Sequence, residues 1–184
     1  MKLIVAVTGA SGIAYAVSFL KALKKHDIET HLIVTDSAKA VASHEIGDIK
    51  QLTSLATHVY NPDDMSAGIA SGSFPVDGMV IVPSSMKTIA ALAVGFADNL
   101  VTRAADVQLK ERRLLIIVPR ETPLHAVHLE NMAKLSHLGA VILPAMPGFY
   151  HSPETIDDLL DFISGKILDQ LGVNHNLYTR WGSA

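Results

Sequence analysis

The stretch KLIVAVTGASG, residues 2–12, runs from a continuous apolar segment directly into small and hydroxylated residues. A run of Leu, Ile and Val without polar alternation predicts a strand buried on both faces of a sheet. Gly9 and Gly12 suit the tight turn that follows. The spacing of Ala14, Val17, Leu20 and Leu23 predicts a helix over residues 12–25. Strand, small-residue turn and helix are the opening of a parallel βαβ unit.

The pattern repeats outward from that unit. Further strands are expected over residues 30–35, 77–82, 114–118 and 140–143, the last three stopped by Pro83, Pro119 and Pro144. Helices are expected over residues 37–43, 48–57, 84–95, 98–109, 122–138 and 153–171. Pro123 falls early in its helix, where a missing N–H costs little, and Gly139 and Gly172 follow two helix ends. Residues 61–75, rich in Pro, Asp, Gly and Ser, read as the longest loop. Alternating strands and helices predict a parallel sheet with helices on both faces. The expected fold is α/β: a three-layer αβα sandwich, Rossmann-like or flavodoxin-like. One domain spans residues 1–184, with a C-terminal tail from about residue 172 to 184.

Composition narrows the function. Fifteen Lys and Arg against 18 Asp and Glu leave a net charge of −3. That balance lacks the basic face that nucleic acid or an anionic membrane requires, so neither is an expected partner. The absence of cysteine excludes disulfides, thiolate metal sites and a Cys nucleophile, and it suits a cytoplasmic location. Hydrophobic residues make up 49% and charged residues 18%, with a mean hydropathy of +0.31. No apolar run approaches the roughly 20 residues of a membrane span. Thr8, Gly9, Ser11 and Gly12 interrupt the only stretch that resembles a signal peptide. The apolar excess therefore points to a large core and buried subunit contacts. Residues 85–97 carry Met86, Ile89, Leu92, Val94 and Phe96 and leave a helix there no polar face. A second subunit covering that helix, and hence a homo-oligomer, is expected.

Ligands of open parallel sheets bind beyond the carboxyl ends of the strands. Those ends carry the candidate chemistry. Thr8–Gly12 offers backbone N–H groups and the Ser11 hydroxyl to an anion, or is a tight turn with a Ser cap. It also resembles the nucleotide turn of short-chain dehydrogenases, but no Tyr in the chain has Lys four residues later, so that catalytic pair is missing. In Pro83-Ser84-Ser85-Met86-Lys87-Thr88, Ser85 and Thr88 can cap a helix or bind phosphate, with Lys87 as a positive charge. Arg120 and Glu121 follow the fourth strand. They either form a salt bridge, or Arg120 holds an anion while Glu121 acts as general acid or base. Pro144–His151 presents Tyr150, and Lys166 follows on the last helix, a plausible phosphate clamp. His125 and His128 are i, i+3 on one helix, but a metal is not expected there.

Taken together, TGASG at 8–12, SSMKT at 84–88, ADVQLKERR at 105–113, VPRETPL at 118–124, HLENMAKLS at 128–136, GAVILPAMPGFYH at 139–151 and RWG at 180–182 resemble the UbiX/Pad family of flavin prenyltransferases over nearly the whole chain. The SMKT form looks closest to members that accompany hydroxyarylic or phenolic acid decarboxylases, which carry the older label phenylacrylic acid decarboxylase. The resemblance implies transfer of a dimethylallyl group from dimethylallyl monophosphate to N5 and C6 of reduced FMN. The product, prenylated FMN, is the cofactor of UbiD-type decarboxylases, and no metal is used. It further implies that Gly9, Ala10, Ser11, Thr35, Ser85, Met86, Lys87, Thr88 and Arg120 hold FMN. Tyr150 and Lys166, helped by Arg103 and Lys110, would hold the donor phosphate. Lys110 would also stabilise the leaving group, Ser11 and Glu121 would carry protons, and Trp181 would either cover the site or pack the tail. Family members form dodecamers with sites at subunit junctions. Two positions depart from the family pattern: Lys166 stands where Arg is common, and Thr35 where Ser is common. The alternatives are a non-catalytic flavin-carrier subunit of an aromatic acid decarboxylase, or a flavin-dependent decarboxylase of the phosphopantothenoylcysteine type, whose loop needs Asn where Pro147 stands.

Overall fold

Side chains alternate across each strand, and here both sets are apolar. Leu3, Val5 and Val7 enter one core while Ile4 and Ala6 enter another, all of them buried. Such strands need helices on both faces. The computed structural model describes residues 1–182 and supplies them. In chain order it contains β1 (Lys2–Val7), α1 (Ile13–Lys25), β2 (Glu29–Val34), α2 (Asp36–Glu45), α3 (Lys50–Thr53), β3 (His58–Tyr60), β4 (Gly78–Ser84), α4 (Met86–Ala93), α5 (Leu100–Lys110), β5 (Leu114–Pro119), α6 (Ala126–His137), β6 (Val141–Ile142) and α7 (Ile156–Gln170). A 3-10 turn, Gly68–Ala70, interrupts the long loop.

The six strands are parallel, in the order β3-β2-β1-β4-β5-β6. Residues of α1, α2, α3 and α7 line one core. Residues of α4, α5 and α6 line the other. The expected αβα sandwich is therefore the observed one. The order reverses between β1 and β4, which makes their carboxyl ends the topological switch point.

Several boundaries differ from expectation. The helix expected over 48–57 is only α3, and the chain then forms β3, a three-residue edge strand with two exposed positions. Pro83 does not stop its strand, while β5 ends at Pro119 itself. β4 runs on to Ser84, which pairs with Pro119 across a register shift. The helix at 122–138 starts later, at Ala126, so Pro123 precedes it. The last helix likewise begins at Ile156, after a capping box built by Thr155 and Asp158. The segment expected to be an all-apolar helix ends at Ala93. Its apolar residues pack mostly against the chain's own core, and the exposed ones, Val94 and Phe96, lie beyond the helix end. Among the described residues no helix is long and apolar enough to cross a membrane. The tail's last two residues lie outside those described.

One buried hydroxyl joins the two halves of the sheet at the switch point. Thr8 Oγ1 donates to the Pro83 carbonyl at 3.0 Å and accepts the Ser85 N–H at 2.8 Å. Replacing Thr8 by Val keeps the shape and the bond from the Thr8 N–H to the Pro83 carbonyl at 3.2 Å, but it leaves the buried Ser85 N–H without its partner. Thr8→Val is expected to lower stability by about 1–3 kcal/mol, read from urea denaturation at fixed protein concentration.

Candidate functional site

A cavity of about 400 Å³ opens beside the Thr8 junction, lined by Gly9, Thr35, Ser37, Ser85, Lys87 and Thr88, with Asn99 and Val101. Three helices begin at its wall. Thr35 caps α2 by accepting the Ala38 N–H at 3.2 Å. Ser85 caps α4 through the Thr88 N–H at 3.4 Å. Asn99 caps α5 in a capping box with Thr102. Each helix start carries about half a positive charge, so the three together favour an anion there. Lys87 adds a full charge, paired with Asp98 at 3.1 Å. Burial opposes ionisation of Asp98, but Lys87 holds its carboxyl below the usual range. Gly9 is required by close approach, since a Cβ there would stand 2.5 Å from Ser37 Oγ. Of the sequence-derived flavin ligands, Gly9, Thr35, Ser85, Lys87 and Thr88 meet at this wall. Ala10 and Met86 are buried next to it in the chain.

The first helix is arranged differently. Gly12 precedes α1 with φ of 104°, a left-handed conformation suited to glycine. Two of the N–H groups at the start of α1 are already taken. Glu45, at the end of α2, accepts from Gly12 N at 3.0 Å and from Ile13 N at 2.8 Å. Burial raises the Glu45 pKa, but the Ser11 hydroxyl, those two N–H groups and the charge of Arg120 outweigh it and hold the carboxyl below its usual range. Arg120 Nε donates to the Ser11 carbonyl at 2.8 Å, tying the turn to the end of β5. Ser11, Arg120 and Glu45 therefore form one polar group. No local motif marks Glu45, which lies 33 residues from Gly12 and meets it only through folding. Among the described residues Glu121 forms no ion pair with Arg120; its carboxylate accepts the Thr122 N–H at 3.0 Å.

A second cluster lies where the 143–155 loop and the tail meet α7. The Tyr150 ring stands edge-on to Phe162 and to Trp181, with centroids 5.8 and 5.6 Å apart. Lys166 lies one turn beyond Phe162 on the same helix and approaches Asp169 at 3.7 Å. Asp169 anchors the tail: it accepts from Tyr178 Oη at 2.6 Å and from Arg180 Nη2 at 2.6 Å, and it meets His175 Nε2 at 3.1 Å. Burial opposes ionisation of Asp169, yet these partners hold its carboxyl far below the usual range. Burial and the Asp169 carboxylate push the Tyr178 phenol up to about 12. Trp181 is 82% exposed, so in the single chain it touches Tyr150 without being enclosed.

Lys110 and Arg103 lie elsewhere. The chain descends α5 from the carboxyl ends of the strands to their amino ends, where Lys110 pairs with Glu111 beside Gly72. Arg103 Nε donates to the Ala70 carbonyl at 3.0 Å, and its guanidinium pairs with Asp106. Neither joins the cavity wall of its own chain. His125 and His128 stack on each other at 3.5 Å between centroids.

A family model described as Flavoprotein matches residues 1–168. Flavin prenyltransferase UbiX of Methanothermobacter thermautotrophicus is 51% identical over 180 residues, covering 97% of this chain and 94% of that protein. A dodecameric FMN-dependent UbiX-like decarboxylase from Escherichia coli O157:H7 superposes with a TM-score of 0.96 at 46% identity, over the full length of both chains. AnUbiX (PadA1), solved in complex with FMN and dimethylallyl pyrophosphate, superposes with a TM-score of 0.97 at 43% identity, over 100% of this chain and 98% of that one.

The Glu45 geometry sets a pH dependence. A carboxyl whose pKa is depressed in the folded state contributes stability above its unfolded pKa of about 4.3, and loses it as pH falls through the folded value. Glu45→Gln is expected to cost about 1 kcal/mol at pH 7, because the group is partly exposed. The gap between wild type and variant should close on acidification towards pH 3, as followed by urea denaturation across pH.

Proposed function

This chain belongs to the flavin prenyltransferase (UbiX) family, and from that premise we propose that it joins a dimethylallyl group to reduced FMN at N5 and C6. The observation that carries the reading is the convergence of three capped helix starts and Lys87 on one cavity at the switch point. A phosphate monoester fits that wall of hydroxyls and N–H groups. The start of α1 does not suit it, because Glu45 already satisfies Gly12 and Ile13. The FMN phosphate is therefore assigned to Thr35, Ser37, Ser85, Lys87 and Thr88, and the flavin ring to the side of Ser11 and Arg120.

In the reaction the C–O bond of dimethylallyl monophosphate breaks, phosphate leaves with the electron pair, and the five-carbon unit bonds to the flavin. Reduced FMN supplies the nucleophilic ring. The residues stabilise the leaving group and move protons. Tyr150 and Lys166 are suited to bind the departing phosphate, and cations there lower the barrier as charge develops. Lys166 is a point charge rather than a fork, so it orients the phosphate less strictly than Arg would. Ser11 and Glu45, already hydrogen-bonded, form a path to take up the proton released at N5, and Glu121 is a second carrier. Trp181 beside Tyr150 excludes water from the allylic carbon once the tail is covered. The position of Lys110 and Arg103 at the far side of their own chain suits donation to a neighbouring copy. A dodecamer with junctional sites would use them in that way. The product is proposed to serve a UbiD-type decarboxylase, and the protein to act in the cytoplasm.

Anaerobic incubation with reduced FMN and dimethylallyl monophosphate, followed by mass spectrometry, is expected to yield prenylated FMN. Unchanged FMN would contradict the reading. Glu121→Gln should slow product formation by about 100-fold while FMN binding, followed by fluorescence, stays within about twofold. A carrier subunit would instead activate its decarboxylase partner equally well with either residue. Arg120→Ala should weaken FMN binding by about tenfold or more, since it removes a charged donor at the ring side.

A further inference from the structure

The amino ends of β1, β2 and β3, opposite the cavity, hold a second group of functional side chains. Strand geometry builds it. Glu29 and His31 are two residues apart on β2, so they share a face. Parallel pairing sets His31 directly beside His58 of β3. Glu29 Oε1 lies 3.0 Å from His31 Nε2 and 3.6 Å from His58 Nε2. All three ligand atoms fall within 4.8 Å of one another.

Ligand bonds of about 2.0–2.1 Å in a tetrahedral site place neighbouring ligand atoms roughly 3.3 Å apart. The two measured separations bracket that value. Two imidazoles and one carboxylate are also a donor set that late first-row divalent ions favour. The outer contacts are in place. His31 is buried, and its Nδ1 lies 2.8 Å from the Tyr60 hydroxyl. With Nε2 on a metal, Nδ1–H donates to Tyr60, which fixes the ring and its tautomer. His58 is half exposed on the edge strand, so an ion can enter and the ring can turn toward it. Lys2 opposes the ion: its Nζ stands 3.3 Å from Glu29 Oε1 and 5.1 Å from the Phe74 ring centre.

We propose that Glu29, His31 and His58 form a binding site for a late first-row divalent cation of the zinc type, which clips the short edge strand β3 to β2. The site is separate from the flavin cavity and takes no part in prenyl transfer. The ion displaces the Lys2 ammonium from Glu29, so Lys2 sets the affinity.

The test is Zn²⁺ titration of the full-length, tag-free, chelator-stripped protein by isothermal calorimetry, with Glu29→Gln, His58→Gln and Lys2→Met beside wild type. His31 is left intact because its burial makes its variants prone to unfold. The expected result is one zinc per chain, weakened tenfold or more by Glu29→Gln and by His58→Gln, and tightened severalfold by Lys2→Met. Zinc should also slow amide exchange at residues 58–60 in wild type and Lys2→Met, but not in Glu29→Gln or His58→Gln. The proposal is overturned if wild type takes up no zinc, if Glu29→Gln or His58→Gln binds as wild type does, or if Lys2→Met binds more weakly. Zinc held by the stacked His125 and His128 would appear equally in all four proteins and would count against it.

Discussion

The functional architecture depends on one side chain that serves two strands. Thr8 closes β1 and, through its hydroxyl, fixes both the Pro83 carbonyl and the Ser85 N–H at the end of β4. Those strands are neighbours across the point where the sheet order reverses. That tie, with the bond from the Thr8 N–H to the Pro83 carbonyl, helps to hold Ser85 where its own side chain caps α4. The cap in turn sets the direction in which the start of α4 points. A buried hydroxyl with both donor and acceptor satisfied is therefore the link between sheet topology and ligand binding.

Electrostatics then divides the carboxyl edge into two parts. Around the cavity, the starts of α2, α4 and α5 and the charge of Lys87 favour an anion. Around the Ser11 turn, Glu45 already supplies the negative charge that the start of α1 attracts. On the proposed reading, the turn that looks like a phosphate loop handles protons instead, and the phosphate is assigned to the next helices. The tail forms a third region, where Asp169 gathers Tyr178, Arg180 and His175 and so places Trp181 against Tyr150.

Much of this was legible in the sequence because it is local. The uninterrupted apolar strands announce a sheet covered on both faces, and the small and hydroxylated residues after Val7 and Pro83 fall where the cavity opens. Three features were not legible. β3 has only three residues, two of them exposed, so it carries no periodic signal. Pro83 reads as a strand stop, but β4 runs past it and pairs with β5 at Ser84 and Pro119 after a register shift, which only the fold creates. Glu45 reaches Gly12 across 33 residues, and nothing in either segment signals the contact. By its composition the apolar stretch at 85–97 suggests one helix that needs a subunit to cover it. Its helical part is instead covered by the chain's own core, and only Val94 and Phe96 remain outside.

A crystal structure of the protein with FMN bound tests this division most directly. The account predicts the FMN phosphate among Thr35, Ser37, Ser85, Lys87 and Thr88, with Glu45 still bonded to Gly12 and Ile13. A phosphate seated on the Gly12 and Ile13 N–H groups, with the Glu45 carboxylate displaced, would contradict it.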